Sequence, residues 1–383
     1  MMTNPQTVLD RAVAQNDVPF VVAMAANADG VTFSGAAGDA SDGKAANEET
    51  LFRIFSMTKA VGSLGAMILI DRGKLGIDTP IGDIIPAWDD LQVLDGFDAD
   101  GKPVLRAAKT RGTIRHLATH TSGLEYEIWN TEMPKFLEAT GHPTTLTGLK
   151  ASLGYPLMFD PGTRWGYGVG TDWLGQVIEA VDGRPVEQFT KEEILDPLGM
   201  TSTVFEPDGM TDRLATLSIR GEDGNFSSME FGPPAKPEFY GMGHALYSTA
   251  PDYLRFLRMI LNDGALEGTR ILSPDAMKLM REDQMQGLCF ETMHTVAPHL
   301  SASVDPFPGM RHTHSFAFVR NEEDIPGRRK AGSLSWAGVL NTHYWADPAS
   351  DVAGVIMTQS LPFVEEPFLK TYAAFEEAVY ASK

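Results

Sequence analysis

The feature that most constrains how this chain can fold is an apolar segment that directly follows Ser-Met-Thr-Lys at positions 56–59. From Ala60 to Ile70 the segment carries no charged side chain, and its apolar residues fall on nearly every side of a helical wheel. A helix that is apolar all round has to lie inside a large core. The sequence therefore predicts a buried central helix with the remaining elements packed around it, ended by Gly73 at a left-handed cap position.

Ser56 and Lys59 stand at the front of this predicted helix. Residues three apart on a helix share a face, with Cβ atoms about 5–6 Å apart. A serine hydroxyl needs a neighbour to take its proton, and a lysine can do so when burial and the positive end of a helix lower its pKa. The first turn of a helix also has unpaired N–H groups that can bind an oxyanion. This pattern predicts a nucleophile, Ser56, beside a base, Lys59.

A second Ser-x-x-Lys stretch, Ser41 to Lys44, tests how much the spacing means on its own. It lies in a Gly/Asp-rich turn with no apolar helix behind it. Turn residues of this kind favour a tight reversal of the chain rather than a helix. We therefore expect no chemistry from Ser41 and Lys44.

The charge of the chain makes several partners unfavourable. The formal net charge is −20 and no run of basic residues is longer than three, whereas nucleic acids and anionic membranes are bound by larger Lys/Arg patches. The apolar stretch at residues 60–70 falls well short of the ~20 residues that span a bilayer, and the N-terminus lacks the pattern of a secretory signal. We expect a cytoplasmic protein with a small-molecule substrate and with neither a nucleic-acid nor a membrane partner. The oligomeric state stays open.

Cysteine and histidine usage leads to further expectations. One cysteine, Cys289, excludes an intrachain disulfide and fits a reducing compartment. The nine histidines include no H-E-x-x-H motif, and His312 and His314 alternate on a predicted strand, a pattern more typical of a core-edge pair than of a zinc site. We expect no metal and no cofactor. The sequence also lacks G-x-S-x-G, which argues against the nucleophile elbow of an α/β-hydrolase.

Strand-like segments lie near both ends of the chain. The predicted strands are residues 20–25, 31–34, 314–319, 331–336, 339–345 and 352–358, with helices at residues 7–15 and 368–380. Short predicted helices lie between them, at residues 114–118, 146–152, 172–181, 186–195 and 250–262. The roughly one hundred residues that follow Gly73 show no strand-like alternation.

These segments predict an α+β fold, in which an antiparallel sheet built from both chain ends is flanked by the terminal helices and a mainly helical lobe is inserted. The expected division is residues 1–75 plus 238–383 for the sheet lobe and residues 76–237 for the helical lobe. A cleft between two lobes is the usual place for an active site.

Five short stretches in one order resemble a known family. They are Ser-Met-Thr-Lys at 56–59, His-Leu-Ala-Thr-His-Thr-Ser-Gly-Leu at 116–124, Phe-Asp-Pro-Gly at 159–162 leading to Trp-Gly-Tyr at 165–167, Pro-Leu-Gly-Met-Thr at 197–201 and Ile-Leu-Ser-Pro at 271–274. Together they resemble the serine hydrolases related to class C β-lactamases and penicillin-binding proteins, and within these the family VIII carboxylesterases. The resemblance implies the class C β-lactamase-like fold, a nucleophile at Ser56, a lysine partner at Lys59 and a catalytic tyrosine at Tyr167.

The same resemblance implies roles around the nucleophile. A phenol near a lysine ammonium is expected to have a lowered pKa, so Tyr167 could pass a proton to the leaving group. The third family motif is placed at Trp336, Ala337 and Gly338, similar to Trp-Gly-Gly of the esterases, with Trp336 as a wall of the acyl pocket. The N–H groups of Ser56 and Val339 are expected to form the oxyanion hole. Tyr126 completes the expected substrate-binding residues.

Two departures from the β-lactamase pattern favour an esterase. Tyr-x-Asn is Tyr167-Gly168-Val169 here, so the amide is absent, and Trp336 stands where Lys-Thr-Gly has its lysine, so the cation for a drug's carboxylate is absent too. We expect a cofactor-free carboxylesterase acting on small or short-acyl esters through an acyl-enzyme. The alternatives are a β-lactamase, a D-amino-acid peptidase or an acyltransferase with the same Ser/Lys/Tyr set, and a non-catalytic binding protein of this fold.

Overall fold

An antiparallel sheet joins the two ends of the chain in the structure, a computed structural model that describes residues 4–382. The strands are β1 (Phe20–Ala26), β2 (Val31–Ser41), β3 (Lys44–Ala45), β4 (Phe52–Arg53), β5 (Gln92–Phe97), β6 (Pro103–Ala107), β7 (Ser218–Arg220), β8 (Phe226–Ser228), β9 (Tyr247–Ser248), β10 (Ala265–Leu266), β11 (Thr269–Arg270), β12 (His312–His314), β13 (Val319–Asn321), β14 (Leu334–Gly338), β15 (Thr342–Asp347), β16 (Val352–Met357) and β17 (Ser360–Leu361). Eight of them form one sheet in the order β12-β13-β14-β15-β16-β1-β2-β3. In it Met24 of β1 lies opposite Val355 of β16.

Helices cover both faces of this sheet. They are α1 (Pro5–Ala14), α2 (Thr58–Asp71), α3 (Ile114–Ala118), α4 (Met133–Thr140), α5 (Gly170–Asp182), α6 (Val186–Thr190), α7 (Asp196–Leu198), α8 (Ala250–Leu261), α9 (Pro274–Arg281) and α10 (Glu366–Ala381). The terminal helices α1 and α10 share a core with one face, and α8 packs against the other. Within residues 4–382, every helix is too short or too polar to cross a bilayer.

Strand β1 shows how one apolar segment serves two cores. All seven of its residues are buried, and side chains of a strand alternate between the two faces of a sheet. Val21, Ala23 and Ala25 join the core under α1 and α10, whereas Val22 and Met24 join the main core. The run is apolar throughout because both faces of the strand are covered.

Helix α2 is the central buried helix that the sequence predicts. Every residue from Thr58 to Leu69 is buried. The helix can lie close to its neighbours because position 62 is a glycine. A Cβ at this position would come within 2.8 Å of the Met242 side chain. It ends as predicted, with Gly73 in the left-handed region at φ +68°. This helix positions Ser56 and Lys59.

Three predictions differ from the structure by more than a shift of the ends of an element. Residues 314–319 are not one strand, because the chain reverses at Ser315, whose Oγ accepts the Phe318 N–H at 3.1 Å, and β12 pairs with β13. Residues 146–152 lie across two short 3₁₀ turns rather than an α-helix. The stretch expected to lack strands contains the hairpin of β5 and β6, in which β6 is largely exposed and so lacks the apolar alternation that marks a half-buried strand.

The α+β class and the antiparallel sheet built from both ends are confirmed. The division into residues 1–75 plus 238–383 and residues 76–237 stays a prediction. What the fold brings to the site is a short set of elements: the front of α2, the loop after α3, the segment before α5, the loop before β9, and the end of β14.

Candidate active site

Ser56 sits in a single 3₁₀ turn, Phe55–Met57, that runs directly into α2. Phe55 holds a positive φ of 40°, which is uncommon for a residue with a side chain and marks local strain. Its ring is fixed by stacking on Phe231 at 5.6 Å between ring centroids. The Tyr253 hydroxyl donates to the Met57 carbonyl at 2.9 Å. The turn is therefore held from both sides, with Ser56 half-buried at its tip.

Lys59 is buried directly behind Ser56, with 3% of its surface exposed. Its Nζ donates to Ser56 Oγ at 3.2 Å, to the Tyr126 hydroxyl at 2.9 Å and to the Gly243 carbonyl at 2.9 Å. Burial lowers the pKa of Lys59 to about 7, although the charge of Asp172 opposes the shift. Near neutral pH a large share of this amine is thus unprotonated and can take the Ser56 proton.

Two tyrosines flank the lysine, and both keep their protons. Lys59 Nζ lies 5.0 Å from the ring centroid of Tyr126 and 5.0 Å from that of Tyr167. Burial raises the pKa of Tyr167 well above its usual range, and the contacts with the Ser56 hydroxyl and the Trp336 indole lower it less. The expectation that Lys59 would lower the pKa of this phenol is therefore wrong, because desolvation exceeds the favourable contacts. Tyr167 is a neutral phenol that can donate a proton.

Tyr126 lies closer to Lys59 than its expected role in substrate binding indicated. It was expected to bind substrate, and the structure makes it a direct partner of the Lys59 amine. Its backbone N–H also donates to the Tyr167 carbonyl at 3.0 Å, so the two tyrosines are tied together. Burial raises the pKa of Tyr126 well above its usual range.

The end of β14 lies beside the Ser56 turn. A Cβ at Gly338 would come within 2.2 Å of the Ile54 carbonyl oxygen, so glycine is what lets the two backbones approach. Val339, the next residue, lines the same cavity as Ser56. The oxyanion hole of the Ser56 and Val339 N–H groups stays a prediction.

Trp336 and Ala337 are placed differently from the expectation. The Trp336 indole N–H donates to the Tyr167 hydroxyl at 2.9 Å, and neither residue is among those lining the cavity at Ser56. Both instead line a second cavity, together with His343 of β15. Trp336 therefore contacts the predicted proton donor directly, and its expected role as a wall of the acyl pocket lacks support in this geometry.

The cavity at Ser56 has a volume of about 380 Å³ and is mainly apolar. Its lining residues are Phe55, Ser56, Tyr126, Glu127, Ile128, Trp129, Pro134, Thr145, Leu146, Phe231, His244, Val296, Ala297, Leu300, Val339 and Leu361. None of these lining residues is a lysine or arginine. Such a cavity suits an apolar acyl or alcohol group better than an anionic one.

Three residues at this site were not found by sequence reasoning. The Gly243 carbonyl accepts from Lys59, Asp172 accepts the Gly243 N–H at 2.7 Å, and His244 lines the cavity. The only local signal for Gly243 and His244 was the Pro/Gly-rich character of residues 231–243. Asp172 gave no signal, because an acidic residue in the first turn of a helix such as α5 is common. Long-range contacts of this kind leave no pattern in a single sequence.

Comparison with known proteins places this geometry in a family. The sequence profile of the Beta-lactamase family matches residues 6–378. Protein Rv1367c of Mycobacterium tuberculosis is 34% identical over 343 residues, which cover 85% of this chain and 81% of that protein. Monacolin J acid methylbutanoyltransferase of Aspergillus terreus is 28% identical over 348 residues, covering 87% and 82%. Lovastatin esterase of Penicillium rubens is 29% identical over 322 residues, covering 80% and 78%.

A solved structure agrees with the sequence matches. The unliganded simvastatin synthase (LovD) from Aspergillus terreus superposes with a TM-score of 0.84 at 25% identity, covering 99% of this chain and 97% of that one. The match confirms the predicted β-lactamase-like fold over nearly the whole described chain. The profile match alone spans far more than half of the sequence, and the chain belongs to the Beta-lactamase family.

Proposed function

We propose that this protein is a serine carboxylesterase that hydrolyses small or short-acyl esters through an acyl-enzyme on Ser56. The observation that carries the proposal is the Lys59 amine, buried 3.2 Å from Ser56 Oγ with a pKa lowered to about 7, beside an apolar cavity. A base with a pKa near the working pH is well suited to removing the serine proton.

The first half of the reaction forms the acyl-enzyme. Ser56 Oγ attacks the ester carbonyl carbon while its proton passes to the neutral Lys59 amine. The oxyanion that forms is bound by the N–H groups of Ser56 and Val339. When the intermediate collapses, the ester C–O bond breaks and the alcohol leaves with a proton from the Tyr167 phenol, which Lys59 then reprotonates. No net charge is left in the cavity.

The second half repeats these steps with water as the nucleophile. Water attacks the acyl carbon while its proton passes to the neutral Lys59 amine; the Ser56–acyl bond then breaks, the free acid leaves, and Ser56 Oγ takes a proton from the Tyr167 phenol, which Lys59 reprotonates. Nothing in this sequence of steps requires a group from outside the chain except water and the ester.

An acyltransferase is the second candidate, and the relatives favour it. One relative is named a methylbutanoyltransferase and another an esterase, so proteins similar to most of this chain carry the name of either activity. In both cases the acyl-enzyme on Ser56 is shared, and the difference lies in which nucleophile reaches it. A β-lactamase or a D-amino-acid peptidase is less favoured, because no cationic side chain lines the cavity to meet a substrate carboxylate.

Turnover of p-nitrophenyl acetate, butyrate and octanoate tests the esterase, with intact-mass detection of the acyl-enzyme. The assay is repeated with added primary and secondary alcohols, and the products are separated as free acid or as new ester. Free acid as the main product with every alcohol supports hydrolysis, whereas a new ester as the main product assigns the acyltransferase. A chromogenic cephalosporin run in parallel detects lactamase activity, and no acyl adduct from any ester would contradict the proposal.

A further inference from the structure

Asp172 is a carboxylate with no exposed surface, and it lies behind the Ser56 and Lys59 pair. It stands in the first turn of α5. Its Oδ1 accepts the Gly243 N–H at 2.7 Å, and the carbonyl of the same Gly243 accepts from Lys59 Nζ at 2.9 Å. One glycine residue thus connects the carboxylate to the amine. The mechanism above makes no use of this carboxylate.

The segment that carries Gly243 is shaped around the carboxylate. A Cβ at Gly241 would lie 2.6 Å from Asp172 Oδ1, and one at Gly243 would lie 2.8 Å from it. The side chain between them, Met242, packs against glycines on two helices, Gly62 of α2 and Gly175 of α5. The segment is therefore held tightly between the helix that carries Lys59 and the helix that carries Asp172.

The charges around the lysine are few. The groups that face Lys59 are the phenols of Tyr126 and Tyr167, the imidazoles of His120 and His244, and the Asp172 carboxylate. Burial raises the pKa of both phenols and lowers the pKa of both imidazoles. All four are neutral near pH 7. Asp172 is thus the group that can balance a charge on Lys59.

We propose, on the basis of the esterase function above, that Asp172 is a positioning residue: it fixes the Lys59 amine against Ser56 through Gly243 and is the counter-charge of the ammonium formed when Ser56 reacts. The physical reason is the burial of that ammonium. A cation that forms without exposed surface is strongly disfavoured unless an opposite charge lies close by. Proton transfer from Ser56 creates such a cation, and Asp172 stabilises it.

The test is a titration of the Lys59 amine in the full-length protein with and without the carboxylate. Lysine is labelled with ¹³C at Cε, and the Lys59 signal is assigned by its loss in Lys59→Met. Asp172→Asn keeps the shape and an amide oxygen for the Gly243 N–H but removes the charge. Because a nearby anion favours the protonated amine, its removal is expected to lower the titration midpoint by about one pH unit. At pH 6 the neutral fraction would rise about 5-fold, from about a tenth to about a half.

A matched control separates charge from packing. Asp252 is also a buried carboxylate in the first turn of a helix, and it accepts the Ser202 N–H at 2.7 Å, but it does not face Lys59. Asp252→Asn is expected to leave the Lys59 midpoint unchanged. A midpoint in Asp172→Asn within about 0.2 units of the wild type would overturn the proposal. If Asp172→Asn does not fold, Asp172→Ser is measured in its place and judged in the same way.

A second measurement reports the reaction itself. The rate at which a p-nitrophenyl phosphonate labels Ser56 is measured as a function of pH. In the wild type this rate is expected to increase with pH around 7. In Asp172→Asn the increase should occur at lower pH, and the maximal labelling rate should fall about 10-fold or more. A lower plateau with the rise in its wild-type place would show a merely structural role and overturn the proposal. The amine titration needs no turnover, so a wild type that is never labelled would contradict the esterase while the titration still decides the role of Asp172.

Discussion

The chain contains the same four-residue pattern twice, and the two copies lie in opposite environments. Ser41 and Lys44 face each other across the hairpin of β2 and β3. Lys44 is exposed, and its Nζ donates to the Asp212 carbonyl at 2.5 Å. Ser56 and Lys59 instead span a 3₁₀ turn and the first turn of α2, and Lys59 is buried with Ser56 as a direct partner.

The difference teaches that the spacing of serine and lysine does not make a nucleophile. A solvated ammonium remains protonated at neutral pH and gives no base, whereas a buried amine loses part of its preference for the proton. The apolar residues after Lys59 create this burial, and the turn after Ser41 provides none. The lowered pKa of Lys59 therefore depends on the buried helix that follows the motif rather than on the spacing of the motif itself.

Replacement of each of the two serines by alanine is expected to give the largest difference in activity. Ser56→Ala removes the nucleophile and should lower ester turnover by at least about 10⁴-fold, with the folding midpoint little changed because one small polar atom is lost. Ser41→Ala is the matched control and should keep wild-type activity. Hydrolysis of p-nitrophenyl acetate and a thermal melt of each variant measure both quantities, and activity lost in Ser41→Ala but kept in Ser56→Ala would reverse the comparison.

Replacement of each of the two lysines by methionine is expected to give the second largest difference in activity. Lys59→Met keeps an unbranched side chain of similar length in the core and removes the base, so kcat should fall by about 10³-fold or more. Lys44→Met changes an exposed residue and should leave kcat and KM as they are. A Lys59→Met variant that retains a tenth of the wild-type kcat would mean that another group takes the Ser56 proton.

The phenol of Tyr167 is expected to matter through its hydroxyl alone. Tyr167→Phe keeps the ring that packs on Lys59 and removes the proton donor, so kcat should fall by about 10²-fold or more with little change in stability. Tyr155→Phe is a suitable control, because Tyr155 is a fully buried tyrosine whose hydroxyl donates to Glu127 of the cavity lining and is a partner of neither Ser56 nor Lys59. A loss of stability in Tyr167→Phe without a loss of kcat would make it an ordinary core tyrosine.

The environment of Lys59 predicts the pH dependence of the reaction. In the proposed reaction the neutral amine is the active form, and its pKa is lowered to about 7. The value of kcat/KM should therefore rise with pH through 7 and fall about tenfold for each unit below pH 6. The raised pKa of Tyr167 places its loss of a proton far above neutral pH. Circular dichroism over the same range excludes unfolding as the cause. A rise centred between pH 4 and 5 would point to a carboxylate as the base.

The smallest effect is expected at Trp336. Trp336→Phe removes the indole N–H from the Tyr167 hydroxyl, and the loss of one such bond predicts a fall in kcat of about 2- to 10-fold, equal for acetate, butyrate and octanoate esters. Leu146→Ala, in the cavity lining, should instead favour the longer chains, within the ~10–200-fold that one or two methylenes control. Unequal effects of Trp336→Phe on the three esters would instead support the original expectation that Trp336 lines the acyl pocket.

Much of the fold could be predicted because its signals are local. The apolar strands at both ends and the apolar helix after Lys59 are patterns of burial, and burial is what the sequence encodes most directly. Two of the three errors in the predicted elements arise where the sequence carries no pattern of burial. The turn at Ser315 and the exposed strand β6 are set by side-chain hydrogen bonds and by an open face, and neither produces an apolar period.

The candidate site also has a part that could be predicted from the sequence and a part that could not. Ser56 and Lys59 are close because they lie three residues apart across a 3₁₀ turn and the first turn of α2, and the family motifs bring Tyr167 into consideration. The partners of Lys59 come from residues far away in the chain: Tyr126, 67 positions on, and Gly243, 184 positions on. The raised pKa of Tyr167 and the contact of Trp336 with it also depend on how α5 and β14 pack around α2.

The sequence by itself determined the buried helix, the serine and lysine that lie together at its front, and the strands near both chain ends, because each follows from periodicity or spacing along a continuous stretch. The tertiary structure alone decided the proton balance of the site. It buried Lys59 beside two neutral phenols and one carboxylate, Asp172, and directed the Trp336 indole to Tyr167 instead of the cavity. Desolvation and the distance between charges set a pKa, and both depend on residues brought together from distant parts of the chain.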